Sequence, residues 1–280
     1  MRGKTRITVL VENTAQGPRL LAEHGLAYWI EHDGRRMLLD SGQGGVLAAN
    51  AYRLGVPLQE IDALILSHGH YDHTGGVADA LKTSRPVTVY AHPAAFAPKF
   101  ARNKDGSARD IGMSHAAEKA IRAPHNRLVY TDRPTPVAEG LTVTGPIPRR
   151  TDFEDTGGPF FLDEACTRPD PLEDDQSVFL ETADGIVVLL GCAHSGIINT
   201  LRYIRPLAGN RALRAVIGGM HLGAASAERI ERTIKELRRM EVQQLAPGHC
   251  TGMAATAALW NAFPGRCQTC HVGTRFEFEV

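Results

Sequence analysis

The chain has 280 residues, of which 43% are hydrophobic and 22% are charged, and its Lys+Arg and Asp+Glu counts are both 31. That composition is typical of a globular protein and excludes a disordered or fibrous chain. The balanced charge argues against nucleic-acid and membrane partners, which favour clustered positive charge, and no apolar run is long enough to predict a membrane span.

The first half of the chain alternates short strands with short helices. The apolar pattern predicts strands at residues 6–12, 26–32, 36–39, 63–66 and 87–91, and helices at 46–54 and 77–82. Asp33-Gly34, between the second and third strands, suits a two-residue hairpin turn. Residues 93–126 then break the rhythm, because they are rich in Pro, Ala and basic residues without a clear period. We interpret them as a partly helical insertion, or lid, over the scaffold.

The second half begins with another irregular stretch, residues 146–175, and then becomes regular. Strands are predicted at 177–182, 186–190, 213–217, 242–246 and 274–280, with a helix at 227–240. Both halves therefore carry hairpins followed by helices and strands. This order indicates one α/β domain over residues 1–280, built from two mixed sheets with helices outside. Long irregular segments in such a domain are often functional lids.

One segment has no explanation in packing: residues 67–76 read S-H-G-H-Y-D-H-T-G-G. His68 and His70 point to the same side if the segment is extended, whereas Asp72 and His73 are adjacent and therefore diverge. Imidazole and carboxylate groups suit zinc, iron or manganese. The loop can thus offer ligands in two directions. It predicts two neighbouring divalent metal ions, zinc in the first place, with iron or manganese as alternatives.

H-G-H-Y-D-H matches the H-x-H-x-D-H motif of the metallo-β-lactamase superfamily, which the chain resembles over essentially its whole length. Leu38-Leu39-Asp40-Ser41-Gly42 resembles the superfamily's upstream D-x-G turn. Gly191-Cys192-Ala193-His194 and Pro247-Gly248-His249 resemble its later metal-binding segments. The resemblance implies a four-layer αββα sandwich with a dinuclear site at one edge of the two sheets, and Asp40 as a support for the metal loop. The implied ligands are His68, His70, Asp72, His73, His194 and His249.

One departure from the superfamily pattern leaves the ligand set open. Many members place a histidine before the second hairpin and an aspartate or cysteine after it. Here Asp174-Asp175-Gln176 precedes the hairpin, and both Cys192 and His194 follow it. Asp175 can replace the missing histidine, or His194 can do so itself. Asp175 and Cys192 are otherwise candidates to support the ligands or to contact the substrate.

Other histidines are weaker candidates. His221, in I-G-G-M-H-L, follows a predicted strand and can bind metal, bind substrate or donate a proton to the leaving group; we assign it a catalytic role. His92, in V-Y-A-H-P, can reach the mouth of the site or serve a structural role. Four further histidines have no candidate partners nearby in the sequence and are expected to be solvated or to cap helices: His24, His32, His115 and His125. Of these, His115 can reach the substrate if the insertion folds over the pocket.

The five cysteines are an odd number and do not form a disulfide framework. Residues 267–271, C-Q-T-C-H, match the c-type haem attachment pattern, but residues 1–13 lack the features of an export signal. We therefore interpret the match as chance or as an adventitious metal site. These features together predict a reducing, cytoplasmic setting.

S-H-G-H-Y-D-H-T-G-G, G-C-A-H-S-G-I-I-N-T and P-G-H-C-T-G resemble, more narrowly, the branch of the superfamily named for dihydropterin-aminobenzene-phosphate synthase. The resemblance implies a metal-dependent hydrolase or related transferase for an ester, phosphoester or lactone, with a pterin-related phosphorylated compound as one candidate. Asp72 would bind metal and also orient or deprotonate the water. A small anionic substrate would enter between residues 93–126 and 146–175. Arginines in these segments are suited to bind its anionic group: Arg102, Arg109, Arg149 and Arg150. A ligand-binding regulator or a redox protein on the same scaffold is the alternative.

Overall fold

The computed structural model describes residues 3–82 and 84–280. Within these ranges the strands are β1 (Lys4–Val11), β2 (Ala27–His32), β3 (Arg35–Leu39), β4 (Ala63–Ile65), β5 (Thr88–Ala91), β6 (Phe100–Arg102), β7 (Ala108–Asp110), β8 (Arg127–Tyr130), β9 (Thr135–Ala138), β10 (Leu141–Val143), β11 (Phe160–Phe161), β12 (Ser177–Thr182), β13 (Gly185–Leu190), β14 (Leu213–Gly219), β15 (Leu245–Gly248) and β16 (Arg275–Glu279). The helices are α1 (Leu47–Leu54), α2 (Tyr71–Thr74), α3 (Val77–Lys82), α4 (His115–Ile121), α5 (Ile197–Leu207), α6 (Ala227–Arg239) and α7 (Met253–Ala262).

Two large mixed sheets contain most of the strands. The first has the order β16-β1-β2-β3-β4-β5-β8, and the second has the order β15-β14-β13-β12-β10-β9. The last strand, β16, pairs antiparallel with β1, so the C-terminal segment closes the sheet that the N-terminal segment begins. The two sheets therefore cannot be separated into independent halves of the chain.

Three apolar clusters define four layers. One cluster lies between the sheets and contains residues such as Ile30 of β2 and Leu189 of β13. Alternate residues point outward, and on the outer face of the second sheet Val188 packs with α5, α6 and α7. On the outer face of the first sheet, Leu38 packs with α1, α3 and α4. The predicted αββα sandwich is confirmed.

Most predicted elements are present with small shifts of their ends. The largest shift concerns the strand predicted at 242–246, which the structure places at Leu245–Gly248. Helix α7 at Met253–Ala262 was not predicted from the sequence, because its apolar residues do not lie on one face. No helix in the described ranges has the length and apolar character needed to cross a membrane.

The two irregular segments are joined by a small third sheet with the order β11-β6-β7. Strands β6 and β7 come from the predicted insertion at 93–126, and β11 comes from the irregular stretch at 146–175. Strand β11 pairs antiparallel with β6, and Phe160 lies opposite Ala101. We call this three-stranded sheet the cover sheet. Segments that lack a clear period by themselves are thus ordered by pairing with each other.

Candidate metal centre

The candidate site lies where the parallel strands of both sheets end. Strands β3, β4 and β5 are parallel in the first sheet, and β13, β14 and β15 are parallel in the second. Side chains that follow parallel strands meet at one edge of a sheet. This edge carries Asp40 after β3, His68 after β4, Cys192 and His194 after β13, His221 after β14 and His249 after β15.

The backbone at this edge is locally strained. Positive φ angles occur at Asp40 (59°), Ala193 (52°), His221 (45°) and His249 (49°). Non-glycine residues rarely adopt such angles, and each costs on the order of 1–3 kcal/mol unless the surrounding structure holds it. Four such residues at the ends of β3, β13, β14 and β15 indicate that side-chain placement is maintained there at the expense of stability.

The metal loop divides its ligands between two backbone conformations. His70 has an extended backbone, and α2 begins directly afterwards and carries Asp72 and His73. Gly75 follows α2, where an added Cβ would lie 2.4 Å from the carbonyl oxygen of Gln43. Glycine is therefore required for this close approach. The change from loop to helix sends the two halves of the motif in different directions.

The histidine and cysteine side chains form two adjacent groups. In what we call the inner group, the ring centroid of His68 lies 4.5 Å from that of His70 and 4.9 Å from that of His194. One ligand atom each from His68, Cys192 and His194 lie within 4.8 Å of one another. These side chains are at most 5% exposed. The inner group is therefore deeply buried.

The second group, which we call the outer group, contains Asp72, His73 and His249, again with Cys192. Nε2 of His73 lies 3.1 Å from Sγ of Cys192 and 3.2 Å from Nε2 of His249. Oδ2 of Asp72 lies 3.3 Å from Nε2 of His249. Cys192 belongs to both groups. The sequence analysis left the role of Cys192 open, and the structure places its sulfur between the two groups.

Hydrogen bonds to the far ring nitrogens set the orientation of the outer histidines. Oδ2 of Asp40 lies 2.7 Å from Nδ1 of His73, and Oδ1 of Asn13 lies 2.8 Å from Nδ1 of His249. Both oxygens can only accept, so each Nδ1 donates. When both rings are neutral, each Nε2 carries a lone pair, and the Nε2 atoms of His73 and His249 face each other. Two facing lone pairs require a proton or a cation between them.

The inner histidines are oriented in the same way. Nδ1 of His194 donates to the carbonyl oxygen of Thr156 at 2.8 Å, and Nε2 of His194 is buried without a hydrogen-bond partner among the described residues. Nδ1 of His68 lies 2.9 Å from Oγ of Ser67, whose hydroxyl donates to Asp40. Anchoring one ring nitrogen so that the other can bind metal is the usual arrangement of metal-binding histidines. The residues present therefore fit two divalent metal ions.

The electrostatic environment also attracts positive charge. Burial lowers the pKa of His73, but the carboxylates of Asp40 and Asp72 outweigh this effect and raise it to about 9. Burial raises the pKa of Asp72, but His73, His24 and His249 outweigh this effect and hold it well below the usual range. Burial lowers the pKa of His70 to about 3. The outer group thus favours a cation, and the inner group keeps His70 neutral and able to bind metal.

Asp175 supports the position of His194. Its two oxygens accept hydrogen bonds from the backbone N–H groups of His194 (3.0 Å) and Ser195 (2.8 Å). Burial raises the pKa of Asp175 to about 6. The ring of His194, in contrast, lies beside His68 and His70. Of the two alternatives that the sequence left open, this geometry favours His194 as the ligand.

A buried ion-pair triad links the cover sheet region to the metal loop. Nζ of Lys99 lies 2.9 Å from Asp170 and 2.8 Å from Asp174, and all three side chains are at most 3% exposed. The other oxygen of Asp174 accepts a hydrogen bond from the backbone N–H of Gly69, between His68 and His70. Lys99 was not predicted from the sequence, because only its burial distinguishes it from other lysines.

His221 and His92 make different contacts. The ring centroid of His221 is 4.2 Å from that of His194, and its Nδ1 is buried without a hydrogen-bond partner in the described chain. His221 also forms a third group with Cys192 and Cys250, whose ligand atoms lie within 4.8 Å of one another. Nδ1 of His92 instead accepts a hydrogen bond from the backbone N–H of Ala94 and caps a 3₁₀ turn.

Two contacts at the site were not predicted from the sequence. His24, expected to be solvated, has its Nε2 3.1 Å from Oδ2 of Asp72. Phe160 of the cover sheet packs against the rings of His70 at 5.2 Å and His194 at 5.3 Å. His24 lies in a loop far from the motif in sequence, and Phe160 lies in a segment without periodicity. Neither residue carries a local signal for this position.

Residues 267–271 do not gather ligands. Cys270 is buried beside the hydroxyl of Tyr28, Cys267 donates toward the carbonyl oxygen of Leu259, and His271 contacts its own neighbour. None of the three belongs to a ligand group among the described residues.

Comparison with known proteins places the whole site in context. A sequence model described as "Metallo-beta-lactamase superfamily" matches residues 21–249. The chain is 29% identical over 267 residues to the 7,8-dihydropterin-6-methyl-4-(beta-D-ribofuranosyl)-aminobenzene-5'-phosphate synthase of Methanocaldococcus jannaschii, covering 92% of this chain and 90% of the relative. It is 30% identical to an uncharacterized protein of the same organism, covering 90% and 93%. A solved structure described as a metal-dependent hydrolase of the beta-lactamase superfamily is 29% identical with a TM-score of 0.83, covering 99% and 100%.

Proposed function

The chain belongs to the metallo-β-lactamase superfamily, and on that basis we propose that it is a hydrolase that uses two divalent cations, zinc in the first place. Its proposed substrate is a small anionic ester, phosphoester or lactone. The observation that carries the proposal is the orientation of His68, His73, His194 and His249. Each ring has its Nδ1 anchored by a hydrogen bond, and each residue offers a ligand atom within 4.8 Å of the sulfur of Cys192.

The two groups divide the binding of the cations. His68, His70 and His194 would hold one cation, and Asp72, His73 and His249 the other, with Cys192 within reach of both. Three protein ligands per cation leave positions open for water and substrate. Bound there, the cations would lower the pKa of water from 15.7 to about 7 and polarise a substrate oxygen.

The chain's own residues would orient the reactants and move protons. Asp72 is held as a carboxylate, because His73, His24 and His249 keep its pKa well below the usual range. An ionised carboxylate can accept the proton of a water or fix its orientation. His221 lies beside the inner group, with its ring centroid 4.2 Å from that of His194. We assign to it the proton donated to the leaving group.

The surroundings support a small anionic substrate. Arg149 donates to the backbone carbonyl oxygen of His194, so one guanidinium group lies beside the inner group. Phe160 covers the histidines from the side of the cover sheet. A hollow of about 710 Å³, lined largely by carbon atoms and including Trp260 and Met253, opens beside His249. Together these features offer an arginine for an anionic group and space for an organic moiety.

The similarity to the synthase supports a phosphorylated, pterin-related compound as one candidate within this class. That relative's name specifies a 5'-phosphate on a ribofuranosyl-aminobenzene. An anionic group of this kind suits a bidentate arginine fork. A related transferase reaction on the same substrate class would use the same cations and the same positioning of the anionic group.

Metal analysis and a substrate screen test the proposal together. Purified protein should contain close to two equivalents of divalent metal and should hydrolyse at least one compound among phosphodiesters, phosphomonoesters and lactones. Removal of metal by a chelator should abolish the activity, and zinc, iron or manganese should restore it. Full metal occupancy without turnover of any ester class would reject the hydrolase and favour a ligand-binding regulator.

A further inference from the structure

His24 forms a ligand group at the surface of the protein, outside the two buried groups. Ligand atoms of His24, Asp72 and His249 lie within 4.8 Å of one another, and Nε2 of His24 is 3.1 Å from Oδ2 of Asp72. The ring centroids of His24 and His249 are 5.1 Å apart. Two imidazoles and one carboxylate suit the same divalent cations as the outer group. We call these residues the surface group.

Exposure falls sharply from His24 inward. The side chain of His24 is 55% exposed and that of Asp72 is 10% exposed, whereas the side chain of His249 is fully buried. His68 is fully buried. A hydrated cation that reaches the buried groups has to lose its water on the way. Ligands at the surface can replace part of that water before the cation becomes buried.

Successive groups share residues. Asp72 and His249 belong to both the surface group and the outer group, and Cys192 belongs to both the outer group and the inner group. A cation that moves inward can therefore keep one protein ligand while it exchanges the others. This sharing avoids a stage at which the cation is buried without ligands, which would carry a large desolvation cost.

We propose that His24, Asp72 and His249 form an entry site that takes a divalent cation from solvent and passes it to the outer group. The inference rests on the proposed metal centre and extends it with a separate role for His24. His24 now hydrogen-bonds to Asp72, and a cation would take the place of that proton, since metal ligands must be deprotonated. Its other ring nitrogen has only a long contact, 3.5 Å, with the amide of Asn13.

Rates of zinc uptake and release test the entry site. Metal-free wild-type protein and His24→Ala would be mixed with Zn²⁺ in the presence of a fluorescent zinc indicator, and release would be followed from the loaded proteins. A residue that binds the cation only during its passage changes the rate of uptake and the rate of release by the same factor. Both rate constants should therefore fall by the same factor, about tenfold for a ~1.4 kcal/mol effect, with an unchanged dissociation constant.

The alternative roles of His24 give different results. A residue that only positions Asp72 would leave the uptake rate unchanged, and its loss would raise the release rate and the dissociation constant. That result, or equal rates in both proteins, overturns the entry site. His125→Ala, at an exposed position, is the matched control and should behave as wild type. Failure of the wild-type protein to bind zinc would instead reject the proposed metal centre itself.

A measurement on the wild-type protein avoids dependence on the variant. Crystals of metal-free protein would be soaked briefly in Cd²⁺ and examined by anomalous scattering. Short soaks should show cadmium among His24, Asp72 and His249, and longer soaks should move the signal to the buried groups. Cadmium that appears only at the buried groups after every soaking time overturns the entry site.

Discussion

Oδ2 of Asp40 lies 2.7 Å from Nδ1 of His73, and both side chains are fully buried. The same oxygen accepts the hydroxyl proton of Ser67 at 2.6 Å, and Oδ1 accepts the backbone N–H of Ser67 at 2.7 Å. Three donors thus converge on one carboxylate. Asp40 thereby links the ring of a proposed ligand to the start of the metal loop.

Asp40→Asn should weaken metal binding by roughly 10- to 100-fold, the usual effect of losing a partner of a metal-binding histidine. Asparagine tolerates the positive φ at this position. Its side-chain amide has only one oxygen, so its NH₂ group must face at least one of the three donors that Asp40 accepts from. Competition with chelators would measure the affinity. Asp62→Asn is the control, because Asp62 also accepts a backbone N–H but is exposed. Equal affinities in all three proteins would contradict the proposed role of Asp40.

His68→Ala and His70→Ala should each lose metal and activity together. Each change leaves the inner group with too few ligands, and folding energy supplied by metal is lost with it. Elemental analysis and melting curves with and without zinc would show the loss. His125→Ala, at an exposed position, should keep both metal and activity. Near-wild-type metal content in either inner-group variant would refute the ligand assignment.

Asp72→Asn should lower the rate by about 10²–10⁴, the usual range for loss of general acid–base function. The change keeps the shape of the side chain but removes its charge and basicity. We expect one metal equivalent to remain, since the inner group does not use Asp72. Asp79→Asn, an exposed residue on α3, serves as the control. A mild effect on both rate and metal content would indicate a mononuclear site.

His221→Ala should keep both metals and lose most activity on alkyl esters, with a smaller loss on nitrophenyl esters. Nitrophenolate is a good leaving group that does not need a proton, whereas an alkoxide does. Rates on the two ester types, measured with metal content, would check this. An equal loss on both types, together with loss of one metal equivalent, would make His221 a ligand through its group with Cys192 and Cys250.

Lys99→Met should destabilise the protein by about 3–5 kcal/mol, because it leaves Asp170 and Asp174 buried without a counter-charge. Denaturant unfolding would measure the change, and Lys119→Met, exposed on α4, is the control. Burial lowers the pKa of Lys99, but Asp174 and Asp170 outweigh it and raise it above 10.5. The stabilisation is thus fully present below pH 10.5 and is lost as the pH rises through the folded value. The wild-type advantage over Lys99→Met should therefore shrink as the pH rises through that alkaline range.

The sequence by itself was sufficient to predict the elements that depend on local patterns. Short runs of apolar residues predicted the strands on both sides of the core, such as Ile186–Leu190 within β13. The spacing of His68, His70, Asp72 and His73 predicted a loop with ligands in two directions, and the structure places them in two adjacent groups. The directions of side chains within a few residues follow from the local backbone conformation. A short segment of sequence is therefore enough to predict that these ligands point in two directions.

Only the tertiary structure decided which distant residues meet. His73 and His249 are 176 positions apart in the chain, and their Nε2 atoms are 3.2 Å apart because the two sheets end at the same edge. Asp175 was a possible ligand in sequence, but the ends of β12 and β13 direct its oxygens to backbone N–H groups. His24 and Phe160 reach the site through a loop and through pairing of β11 with β6. Such contacts depend on the register and packing of whole sheets, which no local pattern of residues encodes.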